Sequence, residues 1–210
     1  MSELGANTLN YNRANLKQTK NTLQSPNPLN TSLPLMKNNI MLVGMPGAGK
    51  STVGELIAKE LGMTFFDVDD YIMECEGRSL QHIIDNEGLS FFKKLEEKYL
   101  SELKVEHTLI STGGSAIYSH KGISELKKIA FTVHLDVSLE EIKRRLGDFS
   151  TRGIVIADGM TFQDLFNERQ PLYQAAADLT VCTNTLSVEE ALEKVAKTVR
   201  EDKNYSLINP

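Results

Sequence analysis

An α/β fold, with a central five-stranded parallel sheet and helices on both faces, is what this 210-residue sequence predicts. Three observations predict it. From Met36 onward, short apolar runs alternate with helix-length amphipathic segments, the pattern of strand–helix–strand crossovers. Between the first such run and the first such segment stands Gly44-Met45-Pro46-Gly47-Ala48-Gly49-Lys50-Ser51, the phosphate-binding spacing G-x-x-x-x-G-K-S in its proper strand–loop–helix setting. Two later helices open with S-x-x-E capping boxes, at Ser138 to Glu141 and at Ser187 to Glu190.

The elements follow in order. Ile40-Met41-Leu42-Val43 reads as a buried strand. Thr52 to Leu61 reads as a helix, with Val53, Leu56, Ile57 and Leu61 on one face. Thr64 to Asp67 is a second strand, followed by helices over Asp69 to Cys75, Ser79 to Asn86 and Leu89 to Leu103. Thr108 to Ser111 is a third strand and Ala130 to Leu135 a fourth, with no element assigned between Ser115 and Ala130. A helix runs from Ser138 through Arg145. Another starts after Thr161, its N-cap. Leu179 to Cys182 is the fifth strand, and a last helix runs from Ser187 to Arg200.

Composition narrows the functions. A net charge of −5 and no basic stripe exclude nucleic acid as the main partner. No apolar run reaches transmembrane length. Cys75 and Cys182 have no metal-ligand spacing and read as reduced packing residues. His82, His107, His120 and His134 form no ligand pattern either, so any metal is Mg²⁺ brought with a nucleotide. Residues 1–36 are rich in Asn, Ser, Thr, Gln and Pro, with Pro26, Pro28 and Pro34 breaking any helix. They read as a disordered extension, favoured over a transit peptide despite Arg13, Lys17 and Lys20. The domain is residues 37–201 and a tail fills 202–210. A cytoplasmic monomer acting on a small molecule is the expectation.

The candidate site is spread along one sheet edge. In the loop, Gly47, Ala48 and Gly49 let backbone N–H groups wrap an anion, at the positive end of the helix that begins there. Lys50 can reach β- and γ-phosphates, Ser51 can ligate Mg²⁺, and Thr52 completes the motif. Asp67, Asp69 and Asp70 close the second strand. Asp67 and Asp69, read as pointing the same way from an extended strand end, suit a water on Mg²⁺ and a general base; Asp70 reads as the helix cap. Thr112-Gly113-Gly114-Ser115 permits close approach of a substrate to backbone. Arg144, Arg145, Arg152 and Arg169 surround a stretch with glycines at 147, 153 and 159. That stretch reads as a mobile loop able to close over phosphoryl transfer. One of Arg144 and Arg145 reads as a solvated helix charge. Arg169 can grip a carboxylate with two hydrogen bonds. His82 and Tyr118 read as packing residues.

From residue 38 to 200 the chain resembles the shikimate kinase family. The resemblance rests on G-M-P-G-A-G-K-S-T at 44–52, F-x-D-x-D at 65–69, F-K-K-L-E-E at 92–97, S-T-G-G at 111–114, the arginine-bearing loop, and E-R-Q-P-L-Y at 168–173. It implies the three-layer P-loop fold of nucleoside-monophosphate kinases with a mobile lid, and the transfer of phosphate from ATP to a hydroxyl of shikimate. By that resemblance Lys50 and Ser51 bind ATP phosphates and Mg²⁺, and Asp67 supports the metal through water. Asp69 holds the acceptor hydroxyl and acts as base. Gly113, Gly114 and Arg169 bind substrate, Arg152 touches the transferred phosphate from the lid, and Arg145 stacks near adenine.

Three positions depart from the family pattern. Lys93 follows Phe92 where the family carries a second carboxylate-gripping arginine, so charge is kept and the bidentate fork is lost. Ser115 replaces the third glycine, placing a side chain in the pocket. Gly153 follows Arg152 where the family has proline. Two alternatives follow: a kinase of another small anionic hydroxy acid, and a nucleotide-binding protein without catalysis.

Overall fold

The computed structural model describes residues 37–147 and 159–201. Among them, β1 (Asn39–Val43), β2 (Thr64–Asp67), β3 (Thr108–Ser111), β4 (Ala130–Asp136) and β5 (Leu179–Cys182) form one sheet in the order β2-β3-β1-β4-β5. All four pairings are parallel. Parallel neighbours cannot be joined by a tight turn, so each connection carries helix. These are α1 (Lys50–Glu60), α2 (Val68–Glu76), α3 (Leu80–Glu87), α4 (Leu89–Glu102), a 3₁₀ turn (Ala116–Tyr118), α5 (His120–Ile129), α6 (Leu139–Leu146), α7 (Phe162–Ala176) and α8 (Val188–Glu201).

β1 is the central strand and is buried throughout. Its first residue, Asn39, is polar and fully buried, so its amide must be satisfied. It donates to the carbonyls of Val105 and Ile129 at 3.0 Å each and accepts the Thr108 N–H at 2.9 Å. One side chain thereby ties the starts of β1, β3 and β4 together. At the opposite edge, Leu42 and Asp67 both register with Ser111, and Val43 registers with His134. The chain leaves β1 for the β2 side of the sheet and later fills the β4 side. That reversal opens a crevice at the carboxyl ends of β1 and β3, where open α/β sheets bind ligands.

Several expectations are corrected. The buried face of α1 is Lys50, Val53, Gly54, Ile57 and Ala58; Leu56 is exposed. Gly54 lets α1 lie close to the sheet, because a Cβ there would stand 3.0 Å from Leu109 and Leu42 side chains. Asp69 lies in the first turn of α2, not on a strand, and the cap is Asp67, which accepts from the N–H of Asp69 at 3.0 Å and of Asp70 at 3.5 Å. Only half of the Ser138 capping box forms. Ser138 Oγ accepts from Glu141 N, but its own N–H donates to Asn184 Oδ1, while Glu141 turns to Arg144 and Arg145. The Ser187–Glu190 box is complete, and Thr161 forms a second complete one with Asp164. Helix α5 had no predicted counterpart. Its Gly122 sits against Leu100 of α4, where a Cβ would clash at 2.6 Å, so this glycine serves helix packing rather than a turn. Cys75 and Cys182 are free and exposed, and His82 is exposed, so none of the three is a core residue.

The extension 1–36, the tail 202–210 and the loop 148–158 lie outside the described residues, and Arg152 and Gly153 with them. No helix among the described residues is long and apolar enough to cross a membrane.

Candidate active site

A cavity of about 310 Å³ occupies the crevice. One wall is the P-loop: Pro46, Gly47, Gly49, Lys50, Ser51 and Thr52. The loop needs its glycines. Gly49 is the N-cap of α1 with φ +96°, and Gly47 has φ +80° with no room for a Cβ, which would stand 2.7 Å from Leu146 Cγ. Because α1 begins at Lys50 and has no acid in its first turn, its N–H groups and positive dipole end present an uncompensated anion site. Ala48 is not on the wall. It is buried, and its carbonyl accepts from Arg145 Nη1 at 3.2 Å.

Lys50 is buried and donates to the carbonyls of Gly44 and Met45 at 2.8 and 2.9 Å. Burial brings its pKa down to about 8, with Asp69 and Asp67 pulling it back up. Ser51 Oγ donates to Asp67 Oδ2 at 2.7 Å and lies 3.3 Å from Ser111 Oγ. This hydroxyl–carboxylate pair at the loop's end supplies hard oxygen donors of the kind Mg²⁺ takes. Asp67 therefore caps α2 with one oxygen and meets Ser51 with the other.

The far wall includes Asp69, Phe92, Gly113, Gly114, Ser115 and Arg169. Asp69 Oδ1 is buried and, among the described residues, has no hydrogen-bond partner. Burial first, and the neighbouring Asp67 charge second, push the Asp69 pKa up to about 6. A Cβ on Gly113 would stand 2.6 Å from that oxygen and 2.8 Å from Glu96 Oε1, so glycine alone lets backbone meet both carboxyl groups. Gly114 packs on Pro46 and Arg169 in the same way, and Tyr173 Oη donates to its carbonyl at 2.6 Å. Arg169 is buried to 2 % exposure.

Ser115 does not behave as an intruding side chain. Its backbone is ordinary helical (φ −85°, ψ −15°), and its Oγ donates to Glu96 Oε1 at 3.0 Å. Lys93 does not line the cavity; its ammonium lies over the Tyr118 ring, 4.6 Å from the centroid. Arg145 holds Glu141, the Ala48 carbonyl and the Thr183 carbonyl, which places it behind the P-loop near the end of β5. Arg144, with its side chain 73 % exposed, is the solvated charge of the pair.

Two further residues belong to the site. Glu96 is 1 % exposed, and burial, with Asp69 adding to it, raises its pKa to about 8. Its signal was available: it interrupts the apolar stripe Phe92, Leu95 and Leu100 of α4. Tyr118 is the other. It touches Lys93 and also Arg169, whose Cζ is 5.0 Å from the ring centroid and whose Nε donates to its hydroxyl at 3.2 Å. It is not mere packing, and no pattern marked it because its turn was not foreseen.

Residues 46–200 match the family described as Shikimate kinase. This chain belongs to the shikimate kinase family. Members of the family are ATP-using phosphotransferases. The shikimate kinase of Clostridium botulinum (strain Kyoto / Type A2) is 36% identical over 167 residues, 78% of this chain and 96% of that one. The shikimate kinase of Vibrio vulnificus (strain YJ016) is 33% identical over 168 residues, 79% of this chain and 98% of that one. Among solved structures, shikimate kinase from Acinetobacter baumannii in complex with shikimate superposes with a TM-score of 0.73 at 31% identity, covering 79% of this chain and 94% of that one. The likeness in fold and the family match agree on the same three-layer shikimate kinase architecture.

Proposed function

We propose that this chain transfers the γ-phosphoryl group of ATP to a hydroxyl of shikimate, releasing ADP and shikimate 3-phosphate. The observation that carries the reading is the buried, unpartnered Asp69 Oδ1, which shares one cavity with Lys50 and Arg169. A carboxylate so placed accepts a hydrogen bond from a substrate hydroxyl. With its pKa near 6 it is ionised at neutral pH and basic enough to take the proton as the oxygen attacks the phosphorus. The new O–P bond forms as the bond to the β-phosphate oxygen breaks, and ADP leaves with that electron pair. Lys50 neutralises charge on the transferring group and its N–H neighbours in the loop hold the phosphates. Arg169, on the opposite wall, binds the acceptor carboxylate. Ser51 and Asp67 would hold Mg²⁺, directly and through water, where the ion shields the phosphate charge. Arg152 is assigned to the transferred phosphate, and Arg145 to the adenine side.

A second reading, a kinase for another small hydroxy acid, is favoured by Lys93 standing off the cavity wall and Ser115 on it. A noncatalytic nucleotide-binding role has no such support, since Lys50 and Asp69 meet in one cavity. The test is ADP release by the purified chain with Mg²⁺ and ATP, across shikimate and a panel of hydroxy acids, with the product assigned by phosphorus NMR. Shikimate is expected to give the highest kcat/KM. Faster turnover of another acid overturns the shikimate reading, and no acceptor-dependent turnover overturns the kinase reading.

A further inference from the structure

The 3₁₀ turn Ala116–Tyr118 packs against both α4 and α7, the helices that carry Lys93 and Arg169. Tyr118 is the side chain that uses this position. Its ring lies 4.6 Å from Lys93 Nζ and 5.0 Å from Arg169 Cζ, and its hydroxyl accepts from Arg169 Nε at 3.2 Å. Two like charges gathered at one site repel each other. An aromatic face carries negative quadrupole density that offsets this, most effectively where water is scarce. Lysine gains most from the arrangement. Its ammonium rides on a flexible four-carbon stem and has no planar fork to fix its direction. Glu96, one turn along α4 on the same side, is engaged by Ser115.

We propose that Tyr118 is a positioning residue for acceptor recognition: its hydroxyl and ring hold Arg169 on the cavity wall and its ring keeps the Lys93 ammonium close by, outside the lining, so that Arg169 grips the substrate carboxylate and Lys93 adds positive potential to it. The inference rests on the reading of the acceptor as a hydroxy acid such as shikimate. It predicts selectivity by charge: acceptors with a free carboxylate depend on Tyr118, and acceptors without one do not.

The test compares Tyr118→Leu, Tyr118→Met and Tyr118→Phe with the unaltered chain, each also in a Lys93→Ala background. KM for shikimate, KM for its methyl ester, KM for ATP and kcat are read for every variant, after urea melts establish which variants fold. Losing the aromatic face is expected to raise KM for shikimate about 5–30-fold, the range of a partly desolvated cation–π contact. KM for ATP and for the ester should stay within about twofold, with kcat little changed, as expected for a contact made alike before and during transfer. Tyr118→Phe keeps the ring and should lose only about two- to threefold, the share of one hydrogen bond. With Lys93→Ala in place, the Leu or Met change should cost distinctly less, because the pair is coupled. Leu and Met remove the ring with different shapes, so either folded variant decides the matter. An unchanged KM for shikimate, an equal rise for the ester, or full additivity with Lys93→Ala overturns the inference. Failure of the unaltered chain to use shikimate overturns the functional reading instead; the same comparison then runs on the acid that it does use.

Discussion

The two walls of the cavity are built by different means. The wall assigned to phosphate comes from one stretch of chain, residues 46–52 without Ala48, and presents backbone N–H groups and the start of α1. The acceptor wall draws side chains and glycines from α2, α3, α4, the strand end after β3 and α7. The first wall answers to local geometry and changes little without being destroyed. The second answers to tertiary packing, and a change at one position is absorbed by its neighbours: Ser115 turns onto Glu96, and Lys93 settles on Tyr118. On the proposed reading, binding of phosphate is set by the fold, whereas the choice of acceptor is adjustable on it.

The largest break of that contrast is at Asp69, the one residue of the acceptor wall that takes part in chemistry under the proposed mechanism. Asp69→Asn keeps the shape and loses the base, so turnover should fall about 10²–10⁴-fold with ATP affinity nearly intact. The pH profile sharpens the assignment. The base must be ionised, and its pKa is raised to about 6, so kcat/KM of the unaltered chain should fall as pH drops through about 6. The Asn variant should lack that limb. Turnover near the original level would move the base elsewhere.

Lys50→Ala tests the other wall. A buried cation aimed at developing negative charge contributes on the order of 10²–10³ in kcat. The variant should melt close to the parent, because among the described residues Lys50 bonds only loop carbonyls, at 2.8 and 2.9 Å. Activity within a few-fold of the parent would remove the P-loop from the mechanism.

The same contrast governs what could be read from the sequence. The P-loop was legible because its residues are adjacent and its context, an apolar run before and an amphipathic segment after, is local. The strand and helix pattern was legible for the same reason, apart from α5, whose Gly122 resembles a loop residue until Leu100 is seen against it. Asp67 and Asp69 were found, but their division of labour was not, since capping depends on where α2 starts. Lys93 and Arg169 could be named, but not the fact that both contact one tyrosine. That contact joins residues 51 and 25 positions from Tyr118, which no periodicity encodes.

Glu96 offers a thermodynamic probe of the acceptor wall. Its pKa rises from 4.5 to about 8 on folding, chiefly through burial. A raised carboxyl pKa means that the folded state holds the proton longer than the unfolded one. Its contribution is therefore intact below about pH 4.5 and is lost progressively as pH climbs to about 8. Glu96→Gln has no proton to lose and keeps an acceptor for Ser115. Its stability relative to the parent should grow by on the order of 2–4 kcal/mol between pH 5 and pH 8. Denaturant unfolding at a series of pH values measures this; a flat difference would mean that Glu96 ionises freely in a wetter site.

The smallest effects are expected at two positions that depart from the family pattern, Ser115 on the acceptor wall and Lys93 beside it. Lys93→Arg restores a planar fork able to grip a carboxylate and to stack on Tyr118, so KM for shikimate should fall about two- to fivefold with kcat unchanged. Ser115→Gly should bring no such gain. Its backbone sits at φ −85°, where glycine has no advantage, and its hydroxyl already serves Glu96. Losing that bond and adding chain freedom should cost about 1–2 kcal/mol of stability while KM moves less than about twofold. The two outcomes together separate the roles of the positions: Lys93 governs the grip on the substrate, and Ser115 governs the packing of the wall. A KM improvement from Ser115→Gly and none from Lys93→Arg would reverse those roles. The pocket would then be limited by room rather than by the direction of its charge.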